Sequence, residues 1–235
     1  MELKSLRDFW HVRPVNAPCH SSRNSFAFSA LLGFLSLAIC CGAEIPNHAG
    51  TATVKAILGQ AKLSRMGGSF TPLGPGMVVR PGDLIQTASG SAVDLHLGDV
   101  AGTVRLTESA SLVVDTYLCL DTALGGEFQI RLGLLDGEIL GLSKSVLQPS
   151  QFEIKTAAGI ARILEGRFRV DARGRVVVVE GKALFAHVPT GGEPSAHTLT
   201  GPPAVYFAPG QGVQPAPKDL QREVISQMRS KLPRR

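Results

Sequence analysis

The sequence is poor in aromatic residues and in long apolar runs, and these shortages narrow the classes of protein that fit it. Phe, Trp and Tyr make up 6% of the 235 residues, so the core has to be built mostly from Val, Leu, Ile and Ala. The longest apolar run, Phe26–Ile39, has 14 residues and is shorter than the roughly 20 that a membrane-spanning helix needs. Helical periodicity is almost absent between Ala52 and Val188, which favours an all-β domain there.

The N-terminal segment has the order of features that is typical of a secretory signal peptide. Four basic side chains precede the apolar run Phe26–Ile39, and Cys41-Gly42-Ala43 places small residues at positions −3 and −1 of a cut after Ala43. We therefore predict that residues 1–43 are a signal peptide and that the protein is periplasmic or secreted. Because the basic region is long, an uncleaved signal anchor in the inner membrane is the alternative.

Few cysteines are available for covalent bracing. Cleavage after Ala43 removes three of the four and leaves Cys119 alone, so the mature chain cannot form an internal disulfide. Cys119 lies in the apolar run Tyr117–Leu120, where a cysteine is usually a small buried hydrophobic residue.

The net charge of +5 comes from the two ends of the chain. Residues 1–43 carry four basic and two acidic side chains, and the segment from Lys218 carries six and two, which leaves about −1 for the body between them. A nucleic-acid-binding domain would carry its basic surface on the folded body. We therefore expect no nucleic-acid partner.

Short runs with alternating polarity and turns with glycine follow one another from Ala52 to Val188. In Ala92–Leu97, Val93, Leu95 and Leu97 share one face, while Asp94 and His96 lie on the other. The second face is therefore predicted to be exposed. The turn signals recur about every ten residues, as in domains made of many short strands.

The C-terminal quarter changes character twice. Prolines and glycines are dense between residues 189 and 217, which predicts a linker with one last strand at Val205–Phe207. From Lys218, apolar residues recur every four positions, which predicts a basic amphipathic helix over residues 218–232 that docks on the β domain or on a partner.

The sequence contains no pattern that indicates catalysis or metal binding. The histidines after residue 43 share no ligand spacing with one another or with Cys119, and Asp83, Asp99 and Asp136 each adjoin a glycine, as turn residues do. We therefore predict no enzyme, no catalytic residue, no metal and no cofactor. The arginines between Arg162 and Arg175 are read as solvated strand and loop residues, and a basic patch for an anionic partner is the alternative.

One stretch resembles a known family. Residues Gln60–Asp99 read QAKLSRMGGSFTPLGPGMVVRPGDLIQTASGSAVDLHLGD, which resembles the opening of FecR domains, the periplasmic part of iron-dicitrate-type signalling regulators. The matching positions are Pro72, Leu73, Gly76, Gly82, Asp83, Ile85, Thr87, Ala92, Leu95, Leu97, Gly98 and Asp99. Later segments of the family pattern follow in order at Leu132–Gly137, Phe152–Thr156 and Val176–Gly181.

The chain departs from the family pattern at one place. FecR domains usually carry an Arg-Gly-Thr-x-Phe stretch between the last two segments, and here only its phenylalanine is kept. The resemblance marks the equivalent residues as a candidate partner surface: Leu164, Glu165, Gly166, Arg167 and Phe168. The roughly 25 residues before the apolar run are too few for the cytoplasmic anti-sigma segment of those regulators, so we expect a stand-alone exported form.

These observations predict an exported all-β protein. Residues 52–188 form a stacked or solenoid-like β-sheet domain similar to FecR domains, and a short C-terminal helix follows. We expect a non-catalytic envelope module for binding, scaffolding or sensing, whose partner is a protein or polysaccharide of the cell envelope. Membrane contact is expected only through the N-terminal segment if it is uncleaved. The alternatives are a component of a transmembrane sigma-regulator-like system and, third, a glycan-active enzyme.

Overall fold

A computed structural model describes residues 47–99, 101–122 and 125–231. The predicted signal peptide lies outside the described residues. The described part is mostly β-structure and has one helix, α1, at Lys218–Lys231. The strands are β1 Asn47–Ala49, β2 Ala52–Leu58, β3 Ala61–Ser64, β4 Phe70–Pro72, β5 Val78–Val79, β6 Leu84–Thr87, β7 Ala92–His96, β8 Thr103–Leu106, β9 Ser111–Thr122, β10 Gly125–Asp136, β11 Glu138–Ser143, β12 Gln151–Thr156, β13 Gly159–Asp171, β14 Val176–His187, β15 Ser195–Gly201, β16 Val205–Ala208 and β17 Gly212–Pro215.

The strands belong to one curled sheet whose two halves share the long hairpin of β13 and β14. In the first half the hydrogen-bonded order is β5-β2-β7-β8-β11-β13-β14-β16-β17. In the second half it is β4-β3-β6-β9-β10-β12-β13-β14-β15. Neighbouring strands are antiparallel except β10 and β12. The predicted all-β class with a short C-terminal helix is confirmed.

The core lies between the two halves and is mainly aliphatic, as the low aromatic content requires. Leu95 of the first half and Leu132 of the second are both fully buried in the same cluster. Aromatic pairs join the halves directly: the rings of Phe152 and Phe168 are 6.0 Å apart in an edge-to-face arrangement, and those of Phe185 and Phe207 are 4.8 Å apart. Offset and edge-on contacts of this kind add to the apolar burial that stabilises the sheet.

Two glycines allow the β13–β14 hairpin to pass from one half of the sheet to the other. Gly166 and Gly181 lie directly opposite each other and have φ angles of +97° and +94°. A Cβ on Gly166 would lie 1.8 Å from the carbonyl oxygen of Glu180. Only glycine combines this left-handed backbone with so close an approach of two strands. Register shifts on both sides of Gly166 increase the local twist of the hairpin.

The segment predicted to be a linker, residues 189–217, forms three strands. β15 pairs with residues 181–187 of β14. β16 pairs with residues 176–178 of the same strand, and β17 pairs with β16. Most of the prolines and glycines occupy the turns between these short strands, and Gly201, Gly212 and Pro215 stand at strand ends, where such residues are tolerated. The last strand expected at Val205–Phe207 is present as β16, whereas the rest of the segment forms two further strands where a linker was expected.

Helix α1 docks on the outer face of the first half-sheet. Val224 is fully buried against Leu140 of β11 and Val177 of β14, and Leu220 is partly buried beside them. At the helix flank, the Arg169 guanidinium lies 3.1 Å from a Glu223 carboxylate oxygen and also pairs with Glu138. Of the two docking surfaces expected for the helix, the β domain or a partner, the structure shows the β domain.

The outer face of β7 differs from its prediction. Asp94 is only 3% exposed and pairs with Arg105 of β8, which is 8% exposed. Both the Nε and Nη2 groups of Arg105 donate hydrogen bonds to the Asp94 carboxylate. The alternation of polarity identified the core face correctly, since Val93, Leu95 and Leu97 are buried. It was wrong about the opposite face, because a paired charge can be buried where a lone charge cannot.

Candidate binding groove

A groove of about 970 Å³ lies at one edge of the second half-sheet. Strands β3, β4 and β6 form its floor, and the turns after β2, β6 and β8 form its rim. We call it the Phe70 groove. Its volume falls at the upper end of the range for ligand sites in proteins. Its lining comprises Gly59, Gln60, Ala61, Lys62, Phe70, Thr71, Pro72, Leu73, Gln86, Thr87, Ala88, Ser89, Ser109, Ala110 and Ser111.

Buried hydrogen bonds hold the rim of the Phe70 groove in place. The Thr87 hydroxyl donates to the Thr107 carbonyl at 2.5 Å and accepts from the Ala110 amide at 2.9 Å. The Ser91 hydroxyl accepts from the Gln60 amide at 2.9 Å. These bonds tie the turns after β2, β6 and β8 together, so the groove is built on a fixed backbone.

Strand β4 of the floor carries the one aromatic side chain of the groove lining. Phe70 is 43% exposed, and the Lys62 ammonium lies 5.6 Å from the centre of its ring, within the range of a cation–π contact. Lys62 and Phe70 come from the paired strands β3 and β4. Among the residues of the lining, Lys62 alone is charged.

The remaining polar groups of the lining are neutral, and several are available to a ligand. Within the described part of the chain, the side chains of Gln60, Ser89 and Ser109 make no hydrogen bond, and each is exposed. Ser109 has a φ angle of 49°, a left-handed conformation that is unusual outside glycine. The groove thus combines an exposed ring with free amide and hydroxyl groups on a fixed floor.

The sequence did not point to the Phe70 groove. Its residues come from four separated stretches, 59–62, 70–73, 86–89 and 109–111, and only the fold brings them together. The single usable signal was Phe70 itself, an aromatic residue between the glycines at 67–68 and Pro72 in a chain with few aromatics.

The predicted partner surface at residues 164–168 lies in the middle of β13, at the bend of the hairpin. Gly166 forms the bend, Glu165 is exposed, and Arg167 pairs with Glu180 at 3.4 Å. Phe168 is 1% exposed and occupies the space over Gly141, where a Cβ would lie 2.0 Å from its ring. The retained phenylalanine is therefore a core residue and does not belong to a surface.

The clustered arginines are distributed over different faces and are mostly paired with carboxylates. Arg162 and Arg131 flank the buried Glu153, with nitrogen–oxygen distances of 2.7 and 2.8 Å. Burial alone would raise the pKa of Glu153, but hydrogen bonds from Arg162 and Arg131 outweigh it and hold that pKa below its ordinary value. Arg175 pairs with Asp171. These arginines were predicted to be solvated strand and loop residues; most of them are paired with carboxylates, and Arg169 is mostly buried.

Other titratable groups of the described residues serve the fold. Burial raises the pKa of Tyr117 to about 12, and the nearby Cys119 adds to the effect. The Tyr117 hydroxyl donates to the Leu97 carbonyl at 2.8 Å. Burial would lower the pKa of Arg169, but Glu138 and Glu223 raise it overall. No group of three or more His, Cys, Asp or Glu side chains in the described ranges is arranged to hold a metal ion.

The fold and the groove define an all-β domain made from one curled sheet with a docked helix. Residues 83–184 match the family model described as FecR protein, so this stretch of the chain is similar to FecR proteins. The match begins at Asp83, whose buried carboxylate accepts a hydrogen bond from the Arg80 amide at 3.0 Å and so closes the turn before β6. The matched stretch contains the β6–β9 side of the Phe70 groove.

No curated protein matches the chain, and no solved structure matches it. The FecR family is typically associated with the cell envelope and with signalling. No helix among the described residues is long and apolar enough to cross a membrane.

Proposed function

We propose that this protein is an exported, non-catalytic FecR-domain module that binds a polysaccharide of the cell envelope in the Phe70 groove. The observation that carries the proposal is the lining of that groove, which combines one exposed aromatic ring with uncharged amide and hydroxyl side chains. A sugar ring has apolar C–H faces and a rim of hydroxyls. Phe70 offers a surface for the faces, and Gln60, Ser89 and Ser109 offer hydrogen bonds for the hydroxyls.

The charge of the groove favours a glycan over a peptide or a nucleic acid. The only charged side chain in the lining is Lys62, and one cation does not provide the basic track that a phosphate backbone requires. A peptide would use pockets that accept side chains along an extended strand, whereas this lining is one open groove that mixes neutral polar and small apolar residues around one ring. The Lys62 ammonium group would in addition form an ion pair with the carboxylate of an acidic sugar.

The predicted signal peptide and the envelope association of the FecR family support the same proposal. Residues 1–43 have the features of a signal peptide, and the family is associated with the cell envelope. A periplasmic or secreted module would meet cell-wall glycans directly.

The test is binding of the purified protein to insoluble cell-wall glycan by co-sedimentation, and to soluble N-acetylglucosamine and glucose oligosaccharides by calorimetry. Phe70→Ala removes the stacking surface, so we expect its affinity to fall at least about tenfold, which corresponds to roughly 1.4 kcal/mol. Leu147→Ala removes an apolar side chain that is 73% exposed and lies outside the groove lining, and should bind like the unmodified protein.

Two results would overturn the proposal. One is that no glycan in either assay binds the unmodified protein. The other is that Phe70→Ala and Leu147→Ala bind equally well, since glycan binding would then take place elsewhere on the protein.

A further inference from the structure

The second half-sheet ends in a strand whose outer edge is open. β15, Ser195–Gly201, is hydrogen-bonded to β14 along its whole length, and no other described strand pairs with it. Its side chains alternate: Ala196, Thr198 and Thr200 are exposed, whereas Leu199 is fully buried. A seven-residue strand with one free edge presents a row of unpaired backbone donors and acceptors to solvent.

β15 lacks the features with which proteins usually protect such an edge. It contains no charged residue and no proline between the flanking Pro194 and Pro202, and its register with β14 has no bulge. The other terminal strands of the two half-sheets are shorter: β5 has two residues, β4 has three and ends in Pro72, and β17 has four and ends in Pro215. Charges, prolines, bulges and short length are the usual means of preventing edge-to-edge pairing, so β15 is the edge that is left competent to pair.

We propose that β15 pairs with β15 of a second copy of this chain, antiparallel and around a two-fold axis at Thr198. The sequence of the strand, SAHTLTG, is compatible with such self-pairing. Thr198 would lie opposite its own symmetry mate, and Ala196 would lie opposite Thr200 on the same face. On the other face His197 would lie opposite Leu199. No like-charged carboxylates or ammonium groups would meet, and Thr–Thr pairs are among the favourable cross-strand pairs.

This pairing closes the edge in both copies at once. An isologous interface is satisfied by two molecules and does not propagate into a fibre. Each open edge would gain a full ladder of backbone hydrogen bonds, and the two second half-sheets would become one continuous sheet.

The dimer would also place two Phe70 grooves at the far ends of the joined sheet, a consequence that rests on the proposed function. β4, β3 and β6 are the first three strands of the second half-sheet and β15 is the ninth. With strands about 4.8 Å apart, the β3 strands of the two grooves would be separated by roughly 70 Å along the sheet. A dimer could therefore hold two glycan strands, and its avidity for an insoluble glycan would exceed that of one groove.

The first test is sedimentation velocity of the purified protein, expressed from the full chain, between about 1 and 100 µM. We expect a monomer–dimer equilibrium that Thr198→Lys weakens at least about tenfold, because it brings two ammonium groups together at the axis. Thr190→Lys adds the same charge in the exposed loop before β15 and should leave the equilibrium unchanged. A monomer at every concentration, or equal dimerisation of both variants, would overturn the proposal.

A second variant tests the register directly. Directly opposite residues of antiparallel strands have Cβ atoms about 4.5–5.5 Å apart, close enough for a disulfide after a small adjustment. Thr198→Cys should therefore yield a covalent dimer under mild oxidation, whereas Thr190→Cys should yield no more than the unmodified protein, which also contains Cys119. Absence of the covalent Thr198→Cys dimer would overturn the axis at Thr198. Because neither assay contains a glycan, failure here is distinct from failure of the proposed function.

Discussion

At the scale of single residues, Asp94 shows how a charge can belong to the interior of a β protein. Its carboxylate faces away from the apolar core, yet it is almost completely buried in a two-bond pair with Arg105. Removing one partner of a buried pair leaves the other charge uncompensated, which is far more costly than losing an exposed pair. Asp94 and Arg105 therefore act as one unit that joins β7 to β8.

We predict that Asp94→Ala lowers the free energy of unfolding by about 3–5 kcal/mol. Asp99→Ala provides the control: the Asp99 side chain is 95% exposed and approaches only His96 at 3.8 Å, so its loss should cost no more than about 0.5 kcal/mol. Urea unfolding curves of the two variants and the unmodified protein give the comparison. Equal, small losses in both variants would show that the outer face of β7 is open to solvent.

The ionisation of Glu153 makes the stability of the folded protein depend on pH. Because its pKa is lowered in the folded state by the hydrogen bonds from Arg162 and Arg131, which outweigh burial, folding favours its ionised form. The resulting stabilisation is present above the ordinary glutamate pKa of about 4.3 and is lost as the pH falls through the lowered pKa.

Glu153→Gln should therefore be less stable than the unmodified protein at pH 7, and the difference should shrink as the pH is lowered from about 5 to 3, where the glutamate becomes protonated as well. Urea unfolding at a series of pH values measures this difference. Glu193→Gln changes an exposed loop side chain that has no ion pair among the described residues, and should follow the profile of the unmodified protein. If the difference in free energy of unfolding between Glu153→Gln and the unmodified protein stays constant with pH, Arg131 and Arg162 do not stabilise the ionised form of Glu153.

At the scale of secondary-structure elements, α1 depends on its docking surface. A 14-residue helix is marginal in water by itself, and the described contact rests on Val224 and Leu220 against Leu140 and Val177. The Arg169–Glu223 ion pair at the helix flank is partly exposed and by itself contributes little. The apolar contact is therefore the main stabilising element.

Val224→Asp should release α1, because it would bury a carboxylate without a partner. Ser226→Asp adds the same charge two residues away on the exposed side of the helix and should leave it docked. Hydrogen exchange of the amides from Lys218 to Lys231 is the measurement: we expect protection in the unmodified protein and in Ser226→Asp, and exchange near random-coil rates in Val224→Asp. Unprotected amides in the unmodified protein would show that the helix does not dock.

At the scale of the whole molecule, the proposed envelope function requires export. The basic n-region, the 14-residue apolar run and the small residues before Glu44 predict cleavage after Ala43. N-terminal sequencing of the protein recovered from the envelope or the medium should therefore begin at Glu44. Protein that keeps Met1 at the membrane would indicate the signal-anchor alternative, and protein that keeps Met1 in the cytoplasm would contradict export and the envelope function with it.

The sequence alone determined the class of the fold and most of the core, because both depend on local pattern. Alternating polarity assigns Val93, Leu95 and Leu97 to the buried face without knowledge of the neighbouring strands. Turn chemistry at Asp136-Gly137 places the break between β10 and β11. The four-residue apolar period after Lys218 predicts α1, since a helix is also defined by local spacing.

Only the tertiary structure decided what depends on residues distant in sequence. Asp94 is buried because Arg105 lies opposite it on another strand, and Phe168 is buried because Gly141 leaves room for its ring. Most prolines and glycines of residues 189–217 lie in turns between strands, because β14 pairs with β15 along residues 181–187 and with β16 along residues 176–178. The Phe70 groove and the open edge of β15 arise in the same way, from the order in which distant strands pair.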